Sequence, residues 1–181
     1  MAHRQNASQE FALDLIRLSG KGLTRRGTAT GPDDYICFGD PVLAMDSGIV
    51  ETTETRVPDN SAGILPTDDE IRERTETLGY TAGLGGNFVQ IRHSPVLFGF
   101  YAHLRQGSVT VRPGDSVTRG QVLGEIGNSG HSNGAHLHCQ LNDGPKPLGN
   151  RSIPMSFTNI RDIHSEPLPM IRQNFTVLHT E

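Results

Sequence analysis

The sequence predicts a mainly β protein, an antiparallel β-sandwich or flattened barrel with one short helix in an insertion. Three observations predict it. The 181 residues include 21 glycines and 11 prolines, with 6% aromatics and no tryptophan, a composition that suits short strands and tight turns better than a helical bundle. Short apolar runs alternate with polar residues and are bounded by turn residues, the pattern of half-buried strands. The length suits one domain able to bury a sizeable core. We read a single domain over 1–181, with its core at 9–141, an insertion at about 57–86 and an irregular, proline-rich tail at 145–181.

Phe11-Ala-Leu-Asp-Leu-Ile-Arg-Leu reads as the first strand, with Asp14 inside an apolar run. A carboxylate buried there is costly unless it is paired or binds a metal. Tyr35–Ala44 and Asp46–Glu51 read as strand, turn and strand, with Gly48 at the turn. In the insertion, Thr67-Asp-Asp-Glu70 matches a capping box, Glu70 and Arg74 have i,i+4 spacing, and Gly79 closes a helix at about 68–78. Asn87–His93 and Phe98–Leu104 alternate as strands. Ser108–Arg112 and Pro113–Gly127 give two or three more, and His136–Leu141 is the last core strand.

Net charge is −4, so nothing offers the basic footprint of a nucleic-acid binder. No apolar run approaches the ~18–20 residues of a membrane span. No signal peptide is visible, so the chain is expected to be cytoplasmic or part of a longer exported one. Cys37 and Cys139 make neither a disulfide framework nor a metal pair.

Histidines carry the chemical signal. His136 and His138 flank Leu137, and strand positions i and i+2 face the same side, so both imidazoles enter one space. His103 follows an apolar-aromatic run in Tyr101-Ala-His-Leu. Several histidines plus a carboxylate are the materials of a catalytic zinc site. No His-Glu-x-x-His helix motif occurs. His131 lies in the preceding Gly/Ser/Asn loop, where it is solvated or reaches substrate. His93 sits at a strand edge, and His164 and His179 lie in the tail without a role.

Gly39-Asp-Pro-Val-Leu-Ala, Gly86-Asn-Phe-Val-Gln-Ile-Arg-His, Tyr101-Ala-His-Leu, Val111-Arg-Pro-Gly-Asp-Ser-Val and His136-Leu-His occur in that order. Together they resemble the lysostaphin-type zinc endopeptidases, peptidoglycan-cleaving enzymes with a duplicated hybrid motif fold, over about residues 9–141. The resemblance implies one Zn²⁺ held by Asp14 and His138, with His103 and His136 as the catalytic pair beside it. The family histidine four residues before the aspartate is Glu10 here. His3 is the expected third ligand, because His3…Gln9-Glu-Phe-Ala-Leu-Asp14 resembles relatives of that form; Glu10 is the alternative.

The implied activity is hydrolysis of short glycine- or alanine-containing peptide cross-links of peptidoglycan by a monomer, outside the cytoplasm. The small, polar borders Gly127-Asn-Ser-Gly and Ser132-Asn-Gly are expected to make a slim groove without large apolar residues. Two alternatives stand beside it: a metal-free binding or regulatory module, and a histidine phosphocarrier. A lipoyl- or biotinyl-type carrier needs a lysine at a hairpin tip, and Lys21 and Lys146 are both outside one.

Overall fold

The computed structural model describes residues 7–28, 30–158, 160, 161 and 166. His3, the expected third ligand, lies outside them, as do His164 and His179. The strands in chain order are β1 (Leu13–Leu15), β2 (Pro41–Leu43), β3 (Gly48–Glu54), β4 (Asn87–Ser94), β5 (Leu97–Leu104), β6 (Ser116–Val117), β7 (Val122–Glu125), β8 (Leu137–Asn142) and β9 (Ser152–Ile153). Helices α1 (Asp68–Leu78) and α2 (Tyr80–Gly85) lie between β3 and β4.

Seven strands form one antiparallel sheet in the order β1-β8-β5-β4-β3-β6, with β9 also on β8, and β2 and β7 form a second. Neither sheet closes, and α1 is the single long helix among the described residues, in the insertion where it was expected. Its start is the predicted capping box: Thr67 Oγ1 accepts from the Glu70 amide, and the Thr67 amide donates to Glu70 Oε2 at 2.7 Å. Arg74 bonds Asn60 Oδ1 rather than forming the i,i+4 pair with Glu70. Gly79, at φ 90°, closes α1 as expected, its amide donating to Thr75 O, and turns the chain directly into the six-residue α2.

The main core lies between the two sheets. Val42 and Leu123 of the small sheet meet Val50, Val89, Ile91, Tyr101 and Cys139 of the large one, and all are nearly fully buried. The opposite face of β4, β5 and β8 is partly covered by α2. There Ala82, Phe88, Phe100 and Ala102 make a second cluster, with the two phenylalanine rings 5.4 Å apart. Burying one such ring contributes about 1.5–3 kcal/mol. This second face carries the candidate site residues.

The chain departs from its sequence pattern in four places. The apolar run 11–18 pairs only over Leu13–Leu15, because β8 offers it three partners, Leu137–Cys139, before β9 takes the same edge at Leu141 and Asn142. Asp14 on this edge strand is therefore 42% exposed at its side chain, not buried. Ser108–Arg112 is extended but outside the sheets, held by bonds such as Thr110 N to Leu123 O. The segment after Pro145 is not wholly irregular: Ser152–Ile153 pairs with β8, and Met155 enters the core.

Candidate active site

Three neighbouring strands bring the site together. Asp14 on β1 lies opposite His138 on β8, which lies opposite Ala102 on β5. Directly paired residues share a face, so Asp14 and His138 project together above the α2 side of the sheet. His136, two residues before His138, joins them as the i,i+2 rule requires.

His103 reaches the same space by a different route. Tyr101 packs in the inter-sheet core, so strict alternation would send His103 there too. His103 instead has φ 60°, the one positive value at a non-glycine among the described residues. This left-handed residue reverses the alternation: His103 turns to the site face, and Leu104 drops into the core at 0% exposure. Such a conformation costs about 1–3 kcal/mol and persists where surrounding structure over-determines it.

Both histidines are fixed by backbone carbonyls. His103 Nδ1 donates to Ser129 O at 2.8 Å, and His136 Nδ1 donates to Gly134 O at 2.8 Å. Each neutral ring then offers Nε2 as its acceptor. The rings lie side by side with centroids 4.6 Å apart, and His136 Nε2 is 3.7 Å from Asp14 Oδ1. Burial holds the His103 ring well below the usual imidazole range, and the His136 and His138 rings add to the effect.

The loop that supplies these carbonyls is braced by the insertion. The Asn128 amide donates to Asp59 Oδ1 at 2.6 Å, Asn60 Nδ2 donates to the carbonyls of Gly130 and Ser132, and Ser129 Oγ donates to Leu104 O. Gly86 and Gly130 both have positive φ, and a Cβ on either would run into the backbone of the other. The start of the insertion is thus a structural brace for this loop.

His138 Nδ1 stands 2.9 Å from Asp14 Oδ1, while Nε2 stands 2.9 Å from Gln140 Oε1. Carboxylate oxygen and imidazole nitrogen are the donor types that zinc takes in catalytic sites. Their 2.9 Å approach is a hydrogen bond when Nδ1 carries a proton, and once that proton leaves the same two atoms are donor types a divalent cation takes. Among the described residues, no group of three His, Cys, Asp or Glu side chains is placed to hold a metal. Glu10 is exposed and does not complete such a group. Cys139 lies on the core face, where burial pushes its thiol up to about 12.

Asp14, His103, His131, His136 and His138 line one cavity of about 310 Å³. The expected slim polar groove is corrected: Leu65, Leu84, Phe100 and Leu148 line the same cavity. Leu65 and Leu84 come from the insertion and Leu148 from the tail. The sequence pattern gave no sign that these distant segments meet. Gln140 was also missed, although the polar alternation His138-Cys-Gln-Leu-Asn142 marks an unusual strand face.

Paired histidines, a carboxylate and a third histidine thus share one cavity on the β-sheet. The family model of Peptidase family M23 matches residues 29–149, and the chain belongs to that family. The matched segment contains His103, His136 and His138 but not Asp14. Peptidoglycan DD-endopeptidase ShyC of Vibrio cholerae serotype O1 is 42% identical over 128 residues, 70% of this chain and 22% of that protein. The chain therefore spans about a fifth of that relative's length. Among solved structures, the catalytic domain of the prophage-encoded M23 protein EnpA of Enterococcus faecalis is 19% identical. That match covers 78% of this chain and 87% of the other, with TM-score 0.46. The catalytic domain of lysostaphin from Staphylococcus simulans is 20% identical, covering 70% of this chain and 86% of the other, with TM-score 0.42.

Proposed function

We propose that this chain is a zinc-dependent endopeptidase that hydrolyses peptide cross-links of peptidoglycan. The single observation behind the mechanism is the orientation of His103 and His136: each commits Nδ1 to a backbone carbonyl and turns Nε2 to the cavity beside Asp14 and His138. Asp14 Oδ1 and His138 Nδ1 would hold the metal, with His3 as the third ligand. A bound zinc ion supplies a Lewis acid for the scissile carbonyl and lowers the pKa of a water toward ~7.

The chain's own residues do the rest. His103, kept neutral by burial, accepts the proton of the attacking water at Nε2. His103 Nε2–H then returns that proton to the leaving amine, and His136, in its protonated form with Nδ1–H held by Gly134 O, would donate from Nε2 to the developing oxyanion. The Nδ1 bonds hold both rings still during transfer, which limits the reorganisation the reaction requires. Leu84, Phe100 and Leu148 offer apolar surface to the methyl group of an alanine, and Asn133 and His131 in the same cavity offer polar groups to the peptide backbone.

The ShyC relative supports the substrate class by its name. The chain's place of action in this reading is outside the cytoplasm; no helix among the described residues is long and apolar enough to cross a membrane. Elemental analysis should find one zinc per chain, and purified sacculi should gain new amino ends on incubation. Zinc-loaded protein that releases no amine from any peptidoglycan type would overturn the substrate. Absence of zinc after purification and reconstitution would favour the regulatory module.

A further inference from the structure

We propose that a second cavity, on the same sheet face as the histidines, is a subsite for a carboxylate-bearing arm of the cross-linked peptide. That its ligand is part of the substrate rests on the function proposed above; the fit of the cavity to an acidic peptide does not.

The cavity measures about 450 Å³, larger than the 310 Å³ of the histidine cavity and within the usual range of small-ligand sites. Thr52 of β3 and Phe88 and Gln90 of β4 line it. Thr52 pairs with Gln90, and Gln90 pairs with Phe100 of β5, which lines the histidine cavity. The Phe88 and Phe100 rings, one in each cavity, have centroids 5.4 Å apart, and Leu148 lines both cavities. The two are therefore neighbours on one surface. His138 sits on β8, β5 comes next, and β4 follows. Strands lie about 4.8 Å apart, so β4 is about 10 Å from β8, the length of roughly three extended residues.

The lining chemistry says what fits there. Gln90 is 1% exposed, and its Nε2 donates to Pro145 O at 3.0 Å, which fixes the nitrogen end of the amide. Its Oε1 is left without a partner among the described residues. Buried polar atoms are nearly always paired, and an amide oxygen only accepts, so this atom is set for the N–H of a peptide. Leu78, Ala82 and Phe88 give apolar surface to a side chain. Lys146 is the one charged residue of the lining, and it makes no ion pair among the described residues. A peptide acceptor, an apolar patch and a cation without a counter-ion together complement a short peptide with a free carboxylate. A cross-link joins two peptide stems, and stem ends carry such carboxylates. Binding energy gathered there, away from the bond that is cut, can be used to orient that bond. The cavity is walled by the insertion, at residues 78–82, and by the turn after β8, at residues 145–149.

Two experiments test the subsite, one without catalysis and one with it. In the first, chelator-treated protein is titrated with a stem tetrapeptide from sacculi, and with the same peptide after every carboxylate is amidated. In ¹H–¹⁵N spectra the free acid should shift the backbone amides of Tyr80, Ala82, Gln90 and Gly149. It should bind up to about fivefold more tightly than the amidated form, the fold-change of an ion pair open to solvent. Lys146 is exposed, so its variants should fold. Lys146→Met should remove the preference for the acid, and Lys146→Arg should restore it. No shift at those amides, equal binding of acid and amide, or an unchanged preference in Lys146→Met would overturn the proposal. In the second experiment, kcat/KM of zinc-loaded protein on cross-linked stem dimers should show the same preference for free acid over amide. Equal rates on both would overturn the subsite and leave the endopeptidase reading intact. If neither dimer is cleaved but the free acid still binds, the endopeptidase reading fails and the cavity stands as an acidic-peptide site.

Discussion

The two halves of the site are built in opposite ways. His103 and His136 are held by main-chain carbonyls of a loop that side chains of the insertion lock in place, and the rings lie over the middle of the sheet. Asp14 sits on a three-residue edge strand with a half-exposed carboxylate, opposite a histidine fixed by one buried amide. The first half is rigid before any ligand arrives. The second draws its order from neighbours remote in sequence, Asp14 and the carbonyls of Ser8 and Pro147 that hold the Gln140 amide. In the proposed function, the difference would store proton-transfer geometry in the core and make cation binding depend on how well an edge is docked.

The largest effect should separate the halves by activity and metal together. His103→Ala and His136→Ala should lower turnover on a cleavable peptide by ~10²–10⁴-fold while keeping zinc. Asp14→Ala should lose both. A His103 or His136 variant with near-normal turnover would break the comparison at its functional end.

Stability should divide the same way. Asn87 is 0% exposed; its Oδ1 accepts from Val57 N, and its Nδ2 donates to the carbonyls of Val57 and Leu104. Asn87→Ala leaves a buried backbone donor without its acceptor, a loss of about 1–3 kcal/mol, seen as a clear fall in Tm. Asp14→Ala in metal-free protein should stay within about 0.5 kcal/mol, as surface substitutions do. Equal losses would mean that the edge strand is as integral as the loop brace.

A smaller effect tests the reversed alternation at position 103. In an ordinary strand, alanine is more stable than glycine by roughly 0.5–1 kcal/mol. At φ 60° the order should invert, with His103→Gly more stable than His103→Ala by about 1 kcal/mol in denaturant unfolding. The normal order would mean that the backbone relaxes once the imidazole is gone.

The smallest effect is in pH. The unfolded chain takes up a proton at His103 near pH ~6.5, which the folded chain resists because burial lowers the ring's pKa. The stability of the neutral ring is present above that pH and is lost as the pH falls toward the folded value. In chelator-treated protein, Tm should therefore fall less between pH 7 and pH 5 for His103→Gly than for the unmodified chain. Parallel curves would show that the His103 ring is not desolvated.

What was legible in the sequence follows from the range of the interactions. The convergence of His136 and His138 and the helix at Asp68–Leu78 depend on spacings of two and three residues, and both were readable. The direction of His103 was not: period-two alternation places it with Tyr101, and the strained φ is imposed by contacts with Ser129 and Gly127, 26 and 24 residues away. The shortness of β1 and the exposure of Asp14 depend on where β9, 138 residues later, takes over the edge of β8. The apolar wall of the cavity joins residues 65, 84, 100 and 148, and no local pattern carries that meeting.

The contact between Gly86 and Gly130 has a consequence for how this chain tolerates change. The two backbones touch where both have positive φ, so a side chain at either position meets main chain rather than a movable neighbour. No second substitution can make room, because the obstructing atoms are present in every amino acid. In a library randomised at both positions and selected for folding, double mutants should rescue nothing that single mutants lose. The pair is an evolutionary dead lock: each position admits one letter, whatever the other holds.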